Sequence, residues 1–127
     1  MVDDKIHAIG SYPEIQTKAN HLNAQNIPIQ SNMVCLPGLI DAHTHICFGG
    51  SRAKDYALRN SGKTYLEIAK AGGGIWDTVT ETRKATTSSL IEGVKKSADR
   101  HLAHGVTTIE VKSGYGLSVE EELKMLR

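Results

Sequence analysis

Residues 39–46 read Leu-Ile-Asp-Ala-His-Thr-His-Ile, a short apolar run whose end carries two histidines. Pro37 and Gly38 turn the chain into it. The run has the length and composition of a buried strand with a polar tip. On a strand, residues i and i+2 project to one side with Cα atoms roughly 6.6–6.8 Å apart. The imidazoles of His43 and His45 can therefore lean together and share a metal ion at about 2.0–2.1 Å each. Residues 106–111 form a second, β-branched strand candidate. Helical stretches are expected between the two at 65–71, 76–87 and 89–104. In the last of these, Leu90, Ile91, Val94, Ala98 and Leu102 line one face. Ser89 with Glu92 reads as its capping box and Gly105 as its C′ residue. Ser118 with Glu121 caps a further helix from Val119 onward, whose acidic first turn suits the helix dipole. The order β-α-α-β-α is that of units in a parallel sheet. Such sheets bury both faces, and two strands are too few for that. The expectation is an α/β chain forming part of a larger barrel, since 127 residues fall short of the roughly 250 of a whole one.

The grammar before Pro37 is different. Residues 5–9 alternate polar and apolar, Asp3-Asp4 reads as a hairpin turn, and 27–29 and 33–36 are short extended candidates. A weakly patterned helix fits between residues 13 and 25. A hairpin turn this early calls for a preceding strand, so an N-terminal piece is expected ahead of Met1. The division expected is 1–36 and 37–127.

Charge is nearly balanced at +1, which offers nucleic acid or an anionic membrane no basic surface. Two cysteines, Cys35 and Cys47, read as buried thiols of a reducing compartment rather than a disulfide framework. The N-terminus lacks a secretory pattern, and no apolar run approaches the ~20 residues of a membrane span. A cytoplasmic protein is expected.

The stretch Pro37-Gly38-Leu39-Ile40-Asp41-Ala42-His43-Thr44-His45 resembles the first barrel strand of the amidohydrolase superfamily. Three further stretches narrow the resemblance: Phe48-Gly49-Gly50-Ser51-Arg52, Ala71-Gly72-Gly73-Gly74-Ile75, and Val111-Lys112-Ser113-Gly114-Tyr115-Gly116-Leu117. Together they resemble the imidazolonepropionase family of that superfamily, specifically from Pro37 onward and loosely before it. The resemblance implies a partial (β/α)8 TIM barrel over 37–127, preceded by part of a small β-sandwich domain over 1–36. It implies hydrolysis of 4-imidazolone-5-propanoate to N-formimino-L-glutamate in histidine degradation. It implies one divalent metal ion, zinc or iron, held by His43 and His45, with Arg52 on the substrate's carboxylate and Tyr115 on the substrate or product. No nucleic-acid or membrane partner is implied, and a homodimer stays open. The family's third histidine ligand, its metal-binding aspartate and its acid–base residues fall later in its pattern. No catalytic acid or base is therefore assigned within these residues, and the chain alone is expected to be inactive.

The residue types suit those roles. A guanidinium grips a carboxylate through two parallel hydrogen bonds, which lysine cannot copy. A phenol on a loop just past a strand can aim a donor or acceptor into a mouth lined by loops. Taken singly, Arg52 reads rather as a surface arginine, Tyr115 as an ordinary loop residue and a bare His-x-His as packing histidines; the turn and buried strand before His43 reverse that last reading. His7, His21, His101 and His104 fall in unrelated segments and read as structural or surface residues. Lys112 lies at a strand end, where some amidohydrolases carry a metal-bridging modified lysine, but the resemblance implies a single metal. The run Gly72 to Gly74 lacks the Gly-Lys-Ser/Thr ending of a phosphate loop. Asp41 reads as ordering the strand tip. Two other functions fit the residues: another cyclic amidase or deaminase of the superfamily, and a non-catalytic metal-binding or interaction module. A cooperative melt of the isolated chain separates the last from the first two.

Overall fold

A computed structural model describes residues 1–30 and 32–127. They form two compact units, Met1–Leu36 and Pro37–Arg127. In the first, helix α1 spans Tyr12–His21. Pro13 enters at its first turn, where a missing N–H costs nothing. The Glu14 carboxylate reaches back to the Ser11 amide at 3.0 Å and the Ser11 hydroxyl at 2.7 Å. Asp3 and Asp4 do form a tight turn, closed by paired backbone bonds between Val2 and Lys5. The expected strands at 5–9, 27–29 and 33–36 are not formed among the described residues. An alternating segment becomes a strand only by pairing, and among the described residues only the Val2–Lys5 bridge involves it. Ile6 and Ile9 stay exposed, and no sheet forms among the described residues of this unit.

The second unit is mixed α/β. Strand β1 (Leu39–Thr44) is followed by helices α2 (Ala53–Asn60), α3 (Tyr65–Lys70), α4 (Ile75–Lys84) and α5 (Thr87–Ala103). Strand β2 (Val106–Val111) and helix α6 (Val119–Leu126) complete it. The two strands pair in parallel. Their register slips twice. From Leu39 to Ile40 the partner advances from Val106 to Thr108, and from Asp41 to Thr44 it advances only from Ile109 to Val111. The pairing is of the kind a parallel barrel uses, and it extends to two strands.

Helix α2 is absent from the sequence expectation, and α5 begins earlier than expected. Thr86, not Ser89, is the N-cap: its hydroxyl accepts from the Ser89 amide at 3.2 Å. Ser89 Oγ turns back and donates to the Thr86 carbonyl at 2.9 Å. The cap at Ser118 forms as the sequence suggests, with its side chain accepting from the Glu121 amide.

The core is small: Ile46, Cys47, Ile68, Val79 and Leu90, with Thr78 and Thr82 among them. Burial on both faces of β1 is not seen, since Leu39 and Ile40 are 58% and 72% exposed. A two-stranded sheet cannot cover both its faces. The buried apolar residues instead follow the strand, at Ile46 and Cys47, where the chain passes under α4. Thr82 makes that junction. Its hydroxyl accepts from the Gly49 amide at 2.9 Å and donates to the Thr78 carbonyl at 2.7 Å, with no surface exposed.

Candidate functional site

The end of β1 positions the histidines. Asp41 Oδ1 accepts from the His43 backbone N–H at 3.1 Å, so this carboxylate orders the strand tip. His101, on α5, brings Nε2 within 3.6 Å of Asp41 Oδ2 and anchors its other nitrogen on the Ser97 carbonyl at 2.7 Å. The rings of His43 and His45 meet edge to face, with centroids 5.3 Å apart. His45 lies just past the strand and is half-buried, while His43 is exposed.

The loop after β2 closes over His45. Tyr115 sets its ring 5.3 Å from that of His45, and Phe48 stands 6.2 Å from Tyr115 on the other side. Gly114, at φ +149°, passes so near that a Cβ there would lie 3.1 Å from His45 Cε1. His45 Nδ1 is buried and has no hydrogen-bond partner. Two imidazoles side by side, one with an unsatisfied buried nitrogen, are a donor set that zinc or iron accepts. Among the described residues no cluster of three or more His, Cys, Asp or Glu side chains forms, so the set supplies two donors of the three or four that zinc takes.

Loop 113–117 is held from below by α6. Glu122 Oε1 accepts from the amides of Gly116 and Leu117, each at 2.8 Å. Burial raises the Glu122 pKa, but bonds from the Ser113 hydroxyl and from the amides of Leu117, Gly116 and Gly114 outweigh it. The carboxyl therefore stays below its ordinary value. Arg83 Nε donates to the Gly116 carbonyl at 2.7 Å, tying the loop to α4. Lys124 donates to the Arg83 carbonyl at 3.1 Å, where a cation meets the negative end of α4. Cys47 is buried, and burial pushes its thiol up against a weaker opposing effect of Lys124.

Arg52 stands at the N-cap of α2, and its hydrogen bonds go elsewhere than the aromatic cluster. Nε donates to Asp55 Oδ2 at 2.5 Å, and Nη1 to Thr78 Oγ1 at 3.4 Å. Thus His43, His45 and Tyr115 come together, while Arg52 belongs to a neighbouring network around Asp55 and α4. The ammonium of Lys112 is engaged by Glu110. His104 bonds the Arg100 carbonyl at the end of α5, and His7 and His21 lie in the first unit. Sequence reasoning missed Asp55 and Glu122. The signal for Asp55 was its place three residues after Arg52, and for Glu122 its place in an acidic helical turn just after a glycine loop.

No family model matches this chain. Among curated proteins it is 46% identical over 125 residues to the imidazolonepropionase of Geobacillus sp. (strain WCH70), which covers 98% of this chain and 30% of that protein. It is 47% identical over 127 residues to the imidazolonepropionase of Yersinia enterocolitica, covering 100% of this chain and 30% of the relative. With the imidazolonepropionase of Caulobacter sp. (strain K31) it shares 55% over 91 residues, 72% of this chain and 23% of that one. The chain spans about 30% of the length of the first two relatives.

Proposed function

We propose, for a chain whose whole length is imidazolonepropionase-like in sequence, that it contributes the first metal-binding strand and part of the substrate site of such an enzyme. The reaction is the hydrolytic opening of the ring of 4-imidazolone-5-propanoate to N-formimino-L-glutamate. The observation that carries this reading is the cluster at the end of the parallel strands. There, His43 and His45 face each other at 5.3 Å and Tyr115 covers His45 at the same distance. His43 and His45 would hold the metal, zinc or iron. Such an ion, once bound, supplies a Lewis acid for the ring carbonyl.

The chain's own residues have separate tasks. Asp41 fixes the backbone at His43, so the ring starts from an ordered strand end. Tyr115, with Phe48 packed against it, covers one side of His45 with aromatic surface, which restricts water there. The Tyr115 phenol offers a hydrogen bond to the substrate or product. Arg52 keeps guanidinium donors beyond those used by Asp55 and Thr78, and they suit the propanoate group. The fold we propose around these residues is the amidohydrolase (β/α)8 barrel, with residues 1–36 belonging to its small β-sandwich domain. A cytoplasmic setting goes with the reading, supported by two unpaired cysteines, Cys35 and Cys47. No helix among the described residues is long and apolar enough to cross a membrane.

The test uses the complete gene product that carries this chain. Purified protein is assayed for loss of imidazolone absorbance and for bound metal by elemental analysis. The expected result is ring opening in the parent and, in His45→Ala, a metal content below half of the parent's together with lost activity. Full metal content and activity in His45→Ala would remove the histidine pair from the site. A complete product without ring-opening activity would overturn the assignment.

A further inference from the structure

The network around Arg52 contains a carboxylate to which the proposed reaction gives no role. Asp55 Oδ2 accepts from Arg52 Nε at 2.5 Å and from the Gly74 amide at 2.8 Å. Its side chain is 12% exposed, against 42% for that of Arg52. The other oxygen is boxed in too: a Cβ on Gly73 would lie 2.2 Å from Asp55 Oδ1. Gly74 has φ +85° and is the N-cap of α4, so the glycine run turns directly over the carboxylate. Asp55 therefore joins two elements, α2 through Arg52 and α4 through Gly74. The Gly74 bond is also the main reason that its carboxyl lies below the ordinary value.

An exposed ion pair three residues apart on a helix does little by itself. Here one partner is immobile. Nε is bound from α2, and Nη1 is bound from α4 by Thr78, which is buried. A long arginine side chain ordinarily forfeits rotamer freedom when it grips a ligand, and fixing it beforehand lowers that cost. Using up the Nε edge also leaves the guanidinium only one direction from which an anion can be taken, through its remaining Nη donors.

We propose that Asp55 is a positioning residue for carboxylate recognition: seated by the glycine run 72–74, it holds Arg52 in the orientation that receives the substrate's acid group. This rests on the reading of Arg52 given above. It also opposes a simple alternative, in which Asp55 competes with the substrate for Arg52 and weakens binding.

The experiment compares Asp55→Asn, Gly73→Ala and Arg52→Ala in the complete gene product, with 4-imidazolone-5-propanoate and with its propanamide analogue, which has no carboxylate. Asparagine keeps an acceptor for Gly74 and loses the charge. The expected result for Asp55→Asn is a KM raised about tenfold for the acid, the size of one charge-assisted hydrogen bond, with kcat within about twofold. KM for the amide analogue stays at the parent value. Gly73→Ala displaces the same carboxylate without removing it and is expected to raise KM in the same selective way, which keeps the test decisive if Asp55→Asn folds poorly. A KM for the acid that is unchanged or lower in both variants, while Arg52→Ala raises it, overturns the positioning role and leaves the Arg52 reading intact. An unchanged KM in Arg52→Ala overturns both.

Discussion

Two glycine-rich loops, at residues 72–74 and 114–116, are each folded over a carboxylate, and the two are tied down differently. Glu122 meets its loop from five and six residues away and accepts from the amides of Leu117 and Gly116. Asp55 meets its loop from nineteen residues away and divides one oxygen between a backbone amide and a guanidinium. The first arrangement is local and shapes the backbone that presents Tyr115. The second is long-range and sets the direction of a side chain. A buried amide costs free energy unless it is paired, so both loops need an acceptor. Only the Asp55 loop passes that acceptor's position on to a charged group.

The largest contrast is expected from adding one methyl group to each loop. A Cβ on Gly116 would lie 2.6 Å from the Glu121 carbonyl carbon and the Glu122 nitrogen, which are backbone atoms of the first turn of α6. Gly116→Ala is expected to lose about 3 kcal/mol of stability, at the upper end of overpacking costs, as measured by urea unfolding. The methyl of Gly73→Ala meets the ends of the Asp55 and Ile68 side chains, which can shift. Its melting temperature should stay closer to that of the parent while its effect on substrate affinity is the larger one. Equal destabilisation in the two variants would break the comparison.

A smaller difference should separate the carboxylates in acid. The folded pKa values of both Asp55 and Glu122 are lowered. A lowered group contributes stability that is present above its unfolded value, about 3.9 for Asp and 4.3 for Glu, and is lost as the pH falls through its folded value. Glu122→Gln should therefore flatten the fall of the urea midpoint below about pH 4.3. Asp55→Asn should flatten it only from about pH 3.9 downward. Parent-like acid profiles in both variants would show that neither carboxylate is held by its loop.

Much of the second unit was legible because the signals were local. The i, i+2 spacing of His43 and His45 on a strand depends on backbone geometry alone, and their rings do meet. The β-branched run at 106–111 and the Ser118 cap likewise carry their own instructions. Helix α2 carries a weaker signal, because Ser51-Arg52 continues the loop of glycines before it, although Ala53, Tyr56 and Ala57 have helical spacing. The start of α5 was misplaced because Thr86, Thr87, Ser88 and Ser89 can all cap a helix, and which one does depends on what precedes it. Asp55 was legible only by half, since its spacing from Arg52 is local and its bridge to α4 is not. Its second partner is Gly74, and no local pattern connects a carboxylate on one helix to an amide at the start of another. The strands expected before Pro37 failed on the same ground, since alternation specifies a face but not a partner.

The two register slips in the sheet are of opposite sign. Strand β2 carries the additional residue near Leu39, and β1 carries it between Asp41 and Thr44. They cancel, so the strands regain their original alignment where the histidines emerge. Because side chains alternate faces residue by residue, one slip alone would send the tip to the opposite side of the sheet. A deletion in either strand should thus part the histidine pair without touching it, and a matched deletion across the sheet should restore it. The ends of the two strands work like a vernier, in which the aim of the imidazoles is set by the difference between two small offsets.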